Sequence, residues 1–138
     1  MKRCTVLVYL LVLCCLLGAC GAEKMPITVN EEASYFDNFV VIDDFVYIYC
    51  TVFLKNDSTE TCEVVLYGTF EKDYASGLLT EEKLIGITAD SASSHILTVP
   101  PGGDYFPIVF IGGYGGNPTK HDRLLPELEI VFAKKEPH

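Results

Sequence analysis

The stretch that decides the fold runs Val46-Tyr47-Ile48-Tyr49-Cys50-Thr51-Val52-Phe53-Leu54, then Lys55-Asn56-Asp57-Ser58-Thr59-Glu60-Thr61, then Cys62-Glu63-Val64-Val65-Leu66-Tyr67-Gly68-Thr69-Phe70. Two runs rich in β-branched and aromatic residues flank a polar segment, the pattern of two strands joined by a turn. Side chains alternate along a strand, so Val46, Ile48, Cys50, Val52 and Leu54 share one face. Cys62, Val64, Leu66 and Phe70 share another. Both sets are expected to point into the core. The reading makes the two strands neighbours and sets the two cysteines opposite one another. Asn56-Asp57-Ser58 matches a glycosylation sequon, but is read here as hairpin turn chemistry, in which Asn and Ser bond the local backbone.

Working outward, similar apolar bursts occur at 39–42, 84–88, 96–99, 105–111 and 128–133. Asp43-Asp44, Ser76-Gly77, residues 91–94, Pro100-Pro101-Gly102-Gly103 and residues 112–118 separate them. With the two central runs this makes about seven short strands, and the expected fold is an all-β antiparallel sandwich. Thr80-Glu81-Glu82-Lys83-Leu84-Ile85 fits either a capped helical turn or the start of a strand.

The composition must be divided before it is used. Residues 1–20 hold 16 of the 68 apolar residues and 2 of the 10 basic ones, leaving 118 residues with 8 Lys plus Arg against 19 Asp plus Glu, a formal charge of −11. The front segment is Met1-Lys2-Arg3-Cys4 followed by an apolar run over 5–17. That is the length of a secretion signal and short of the roughly 20 residues that span a bilayer. It ends Leu17-Gly18-Ala19-Cys20, which resembles the lipobox of bacterial lipoproteins. The resemblance implies cleavage before Cys20, a diacylglycerol on its sulfur, and acyl chains such as palmitate holding the new terminus in the membrane. Expected units are a signal peptide over 1–19, a lipidated Cys20 with a tether to 34, and the sandwich over 35–138. The location is then the cell membrane or outer membrane, facing away from the cytoplasm. A face of this acidity repels nucleic acid and anionic lipid headgroups, so the expected partners are the membrane, through the lipid, and an envelope or extracellular protein.

Once the leader is cut and Cys20 acylated, Cys50 and Cys62 remain. A lone pair in an exported domain is a disulfide candidate, worth roughly 3 kcal/mol in the chain-entropy model; two buried free thiols are the alternative. Two cysteines without Cys-x-x-Cys spacing or nearby histidines do not make a zinc site.

Residues 46–110 resemble the small immunoglobulin-like or FxLYD-type domains of bacterial surface lipoproteins. The counterparts are Val52, Leu54 and Asn56, then Phe70 and Asp73, then Gly77, then Pro101-Gly102 and the aromatic run over 106–110. The literal Phe-x-Leu-Tyr-Asp is replaced by Val64-Val65-Leu66-Tyr67-Gly68. The resemblance implies a sandwich and names no substrate.

A search for chemistry finds no complete set. His95, His121 and His138 form no metal pattern, and Ser91, Ser93 and Ser94 beside His95 lack a nucleophile elbow. The carboxylates at 31–32, 37, 43–44 and 81–82 lack calcium-loop spacing. No cofactor or metal is expected, and the chain is read as non-catalytic. The alternative is a small envelope hydrolase or protease inhibitor acting through 112–123. There Gly112-Gly113-Tyr114-Gly115-Gly116-Asn117-Pro118 could present Tyr114, with His121 and Arg123 in a locally basic stretch, or could be a plain crossover to the last strand.

Overall fold

The computed structural model describes residues 24–118 and 124–133. In order come β1 (Ile27–Ile42), β2 (Phe45–Asn56), β3 (Cys62–Thr69), a helical turn α1 (Glu71–Ala75), β4 (Lys83–Thr88), β5 (Leu97–Val99), β6 (Asp104–Gly113) and β7 (Glu127–Phe132). Every pairing is antiparallel. Each apolar burst of the sequence falls on a strand, and the fold is the expected all-β, seven-stranded sandwich.

One layer is β1-β2-β6 with the end of β4; the other is centred on β3, with β7 on one side and β5 and the start of β4 on the other. β4 joins them. Lys83, Leu84 and Ile85 face β3, whereas Gly86, Ile87 and Thr88 pair with β6. The switch falls where backbones crowd: a Cβ on Gly86 would lie 3.0 Å from Ile108 Cγ2 and 3.2 Å from the Leu66 carbonyl oxygen. The sheet runs through both layers without closing.

Between the layers the parity sets behave as read. Val46, Ile48, Cys50, Val52 and Leu54 of β2, and Val64 and Leu66 of β3, are at most 1% exposed. Phe110 of β6 is fully enclosed and meets Phe70 edge-on, ring centroids 5.2 Å apart. Fully burying side chains of this kind stabilises by roughly 1.5–3 kcal/mol each, which is what holds the two layers together.

Three expectations are corrected and one open reading is resolved. β2 and β3 are not a hairpin: the polar segment after Asn56 carries the chain from one layer to the other, and β2 pairs with β1 and β6 instead. Cys50 and Cys62 are consequently free, not bridged. Cys50 sits six residues before the end of β2 while Cys62 opens β3. That offset is about 20 Å along a strand, and bridged Cα atoms must come within roughly 7 Å. The span assigned to a tether contains the start of β1, which pairs with β2 from Ile27↔Asn56 onward and buries Ile27 in the core. Its polar Glu31 and Glu32 are accommodated because they fall at a register shift on an edge strand, facing solvent. Finally, Phe70 to Ser76 forms one helical turn that alternation did not announce, and the segment at 80–85 resolves as the start of β4.

Candidate interaction surface

The residues of β2 that do not face the core are Phe45, Tyr47, Tyr49, Thr51, Phe53 and, at its end, Lys55. A polar outer face would have alternated here; instead both faces of the strand are apolar. Register extends this across the layer. Ile42 stands beside Phe45, Tyr47 lies between Val40 and Ile111, and Tyr49 is beside Val109, which in turn neighbours Ile87. Toward the other end Tyr35, Thr51 and Pro107 form a row, and Phe53 meets Tyr105 edge-on at 4.8 Å between centroids. Among the described residues ten large apolar side chains are exposed, and six of them are on this face: Tyr35, Val40, Ile42, Phe45, Tyr105 and Ile111. Tyr35 and Tyr105 are each 54% exposed.

The outer face of the other layer is built differently. Glu63, Tyr67 and Thr69 on β3 lie beside Thr98, Lys83, Glu127 and Glu129. Lys83 Nζ donates to Glu129 Oε2 at 2.6 Å and lies 4.8 Å from the centre of the Tyr67 ring. The bond to Glu129 raises the Lys83 pKa, but both partners are in solvent, where such pairs stabilise little. Val65, Val131 and Ile85 share this face but are buried or half-buried, so what it leaves exposed is polar and charged, as the solvent side of an antiparallel sheet normally is.

The glycine-rich segment is tied down. Tyr114 N–H donates to the Asp44 carbonyl at 2.8 Å, Gly115 N–H to Leu78 at 2.8 Å, and Asn117 N–H to Gly77 at 3.2 Å. Thr80 N–H donates back to Gly113 at 3.0 Å, and Asn117 Nδ2 to the Ser76 carbonyl at 2.6 Å. A Cβ on Gly115 would fall 2.2 Å from the Gly77 carbonyl oxygen, so here glycine permits close backbone contact. Tyr114 is half-buried and packs against the core. His121 and Arg123, the other two candidates of this loop, lie outside the described residues, as does Cys20.

The remaining candidates have structural occupations. Asn56, 2% exposed, donates from Nδ2 to the carbonyls of Glu60 (2.8 Å) and Val99 (3.0 Å), and its Oδ1 accepts from Ser58 N–H (2.9 Å) and Oγ (2.7 Å). Its amide nitrogen is thus enclosed, and the sequon is turn chemistry. The Cys50 thiol is pushed from 9.0 up to about 12 by burial and, secondarily, by the charge of Asp37, which keeps it protonated and unreactive. Cys62 Sγ lies 3.7 Å from Ser58 Oγ beside an open hollow of about 840 Å³. Ser94 donates to the Ile96 carbonyl within its own loop, and His95 is exposed. Among the described residues no three His, Cys, Asp or Glu side chains converge on a metal position, and no helix is long and apolar enough to cross a membrane.

No family model, curated protein or solved structure matches the chain. Besides the open hollow beside Cys62, whose rim of Lys24, Glu60, Thr61 and Glu63 is exposed to solvent, two features are left. One is a cleft of about 250 Å³ between the layers, lined by Phe36, Phe70, Asp73, Leu125 and Glu127. Drug-sized ligand pockets start near 300 Å³, so it is at best a site for a small group. The other is the apolar outer face, which is far larger and whose exposure nothing in the domain's own packing explains. The sequence marks Phe45 to Leu54 as a strand but not this face, because the outward parity of one strand becomes a surface only when its neighbours are laid beside it.

Proposed function

We propose that this protein is a bacterial surface lipoprotein, anchored through Cys20, whose sandwich is non-catalytic and binds another component of the cell envelope. The observation that carries the binding reading is the outer face of the β1-β2-β6-β4 layer, where six large apolar side chains are left in solvent on one side of one sheet. A domain that served only as a spacer would gain nothing from such a face and would risk aggregation through it. Anchoring is supported by Leu17-Gly18-Ala19-Cys20 at the end of the apolar run. With the lipid at Cys20 and β1 beginning at Ile27, six residues separate the two, a reach of about 20 Å at full extension, so the sandwich would ride close above the membrane.

The anchoring reading is tested by growing cells on radiolabelled palmitate. Label is expected in the wild-type protein, with the Cys20→Ser protein unlabelled and retaining its leader. Equal labelling of the two, or none in either, would remove the anchor from the proposal.

A further inference from the structure

We infer that the outer face of the β1-β2-β6-β4 layer docks a folded partner protein whose contact surface has an apolar centre ringed by lysine and arginine. The inference rests on the binding reading above and adds the site and the partner's chemistry. Taking 150–250 Å² for a whole aromatic side chain, the six exposed residues leave on the order of 500 Å² of apolar surface. That is at the upper end of what monomers leave uncovered, and with the half-buried Tyr47, Tyr49, Phe53 and Ile87 it approaches the roughly 800 Å² per partner of a standard interface.

Charge selects among occupants. Among the described residues, the strands and turns that frame this face carry Glu31, Glu32, Asp37, Asp43, Asp44, Asp90 and Asp104, all exposed, against one base, Lys55, which is itself 3.4 Å from Asp57. Asp43 and Asp44 close one end, Asp90 and Asp104 lie toward the other, and Glu31, Glu32 and Asp37 follow the free edge of β1. An apolar centre with an acidic rim is the anatomy of a protein interface with a cationic counterpart. A second copy is disfavoured, because a two-fold contact would set this rim against itself across two domains of charge −11. An anionic bilayer is disfavoured for the same reason. Addition of a partner strand along β1 is also disfavoured, since that edge is broken by register shifts after Asn30 and after Phe36 and carries Glu31, Glu32 and Asp37.

The test places a photocrosslinking amino acid at Phe45 or Tyr105, and as a control at Thr98 on the opposite layer, in the full chain made in its own cells. Adducts are sequenced by mass spectrometry, and a captured protein is then purified and titrated with this one. Expected are adducts at Phe45 and Tyr105 only, with one protein whose binding weakens at least tenfold between 50 and 300 mM salt. The pair Asp37→Lys with Asp104→Lys should weaken that binding at least tenfold, while Glu63→Lys on the opposite layer leaves it within twofold. In detergent the wild-type protein should sediment as a monomer, and its attachment to phosphatidylglycerol vesicles through the lipid at Cys20 should be the same in Phe45→Ser. Adducts with a second copy, dimer formation, vesicle binding lost in Phe45→Ser, or a partner indifferent to salt and to the rim variants would each overturn the inference. Adducts at Thr98 alone would overturn it while sparing the binding reading; adducts at neither layer would overturn both. Absence of palmitate at Cys20 would overturn only the anchor.

Discussion

Replacing Asn56 by alanine tests the account of how the two layers are tied. Four hydrogen bonds converge on this side chain at 2.7–3.0 Å, and it is buried. One donated bond reaches Val99 in β5 and another Glu60 in the crossover, so the side chain joins the end of β2 to the neighbourhood of β3. At about 1 kcal/mol net per bond, with Ser58 able to recover part of its bonding from water, truncation is expected to destabilise by about 3 kcal/mol. For a domain of this size that is a fall in melting temperature of roughly 12 °C, or about 1.5 M in urea midpoint. Circular dichroism across a urea titration would measure it. Ser58→Ala, at a half-buried site, should cost about 1 kcal/mol; the double variant should cost about 1 kcal/mol less than the sum, because the bond from Ser58 Oγ to Asn56 Oδ1 is lost in both. Asn56→Asp is the sharper control. It keeps the two accepted bonds but turns a carboxylate toward two carbonyls, so it should be at least as damaging as alanine at neutral pH and recover on acidification. A loss below about 1 kcal/mol for Asn56→Ala, or strict additivity with Ser58→Ala, would refute the view that this residue clamps the crossover.

Further outcomes follow from the same geometry. Iodoacetamide at pH 8 should modify Cys62 within minutes and leave Cys50 untouched until the protein is unfolded, as read by peptide mass; comparable labelling would place Cys50 outside the core. Because the folded Cys50 thiol titrates near 12 against 9.0 when unfolded, its contribution is complete below pH 9 and is lost as pH rises toward 12. The wild type should therefore lose about 1 kcal/mol relative to Cys50→Ala between pH 8 and 10. Gly115→Ala, forced against the Gly77 carbonyl, should cost about 2 kcal/mol; a change within 0.5 kcal/mol in urea unfolding would mean that this segment is not pinned in the way described.

Much of the fold was legible because strand formation here is local. The runs 45–54 and 62–70 contain enough β-branched and aromatic side chains that alternation alone placed Val46, Ile48, Val52 and Leu54 inside, and the structure leaves them there. The start of β1 escaped because Glu31 and Glu32 break its alternation, and only pairing with β2 holds those residues in a strand. The Asx chemistry of Asn56 was legible too, but a turn residue satisfies its neighbours equally well in a hairpin and in a crossover. Nothing local distinguishes them, and with the wrong choice went the disulfide. The candidate surface was half legible: Phe45, Tyr47, Tyr49 and Phe53 stood on the complementary parity of β2 all along. What was missing was that Ile42 and Val40 of β1, and Tyr105 and Ile111 of β6, would be laid beside them.

By itself, then, the sequence determined the properties that depend on near neighbours: seven strands, which side of the two central ones faces inward, an apolar run over 5–17, and an acidic remainder. The tertiary structure alone decided who stands beside whom. β2 took β6 and β1 for neighbours, β3 took β7, and β4 was divided between the layers. Those choices are made by burying one face of every strand at once, a condition no single segment contains. They separate the cysteines, pin the glycine-rich loop to residues 76–80, and gather apolar side chains from distant strands onto one exposed, acid-rimmed face.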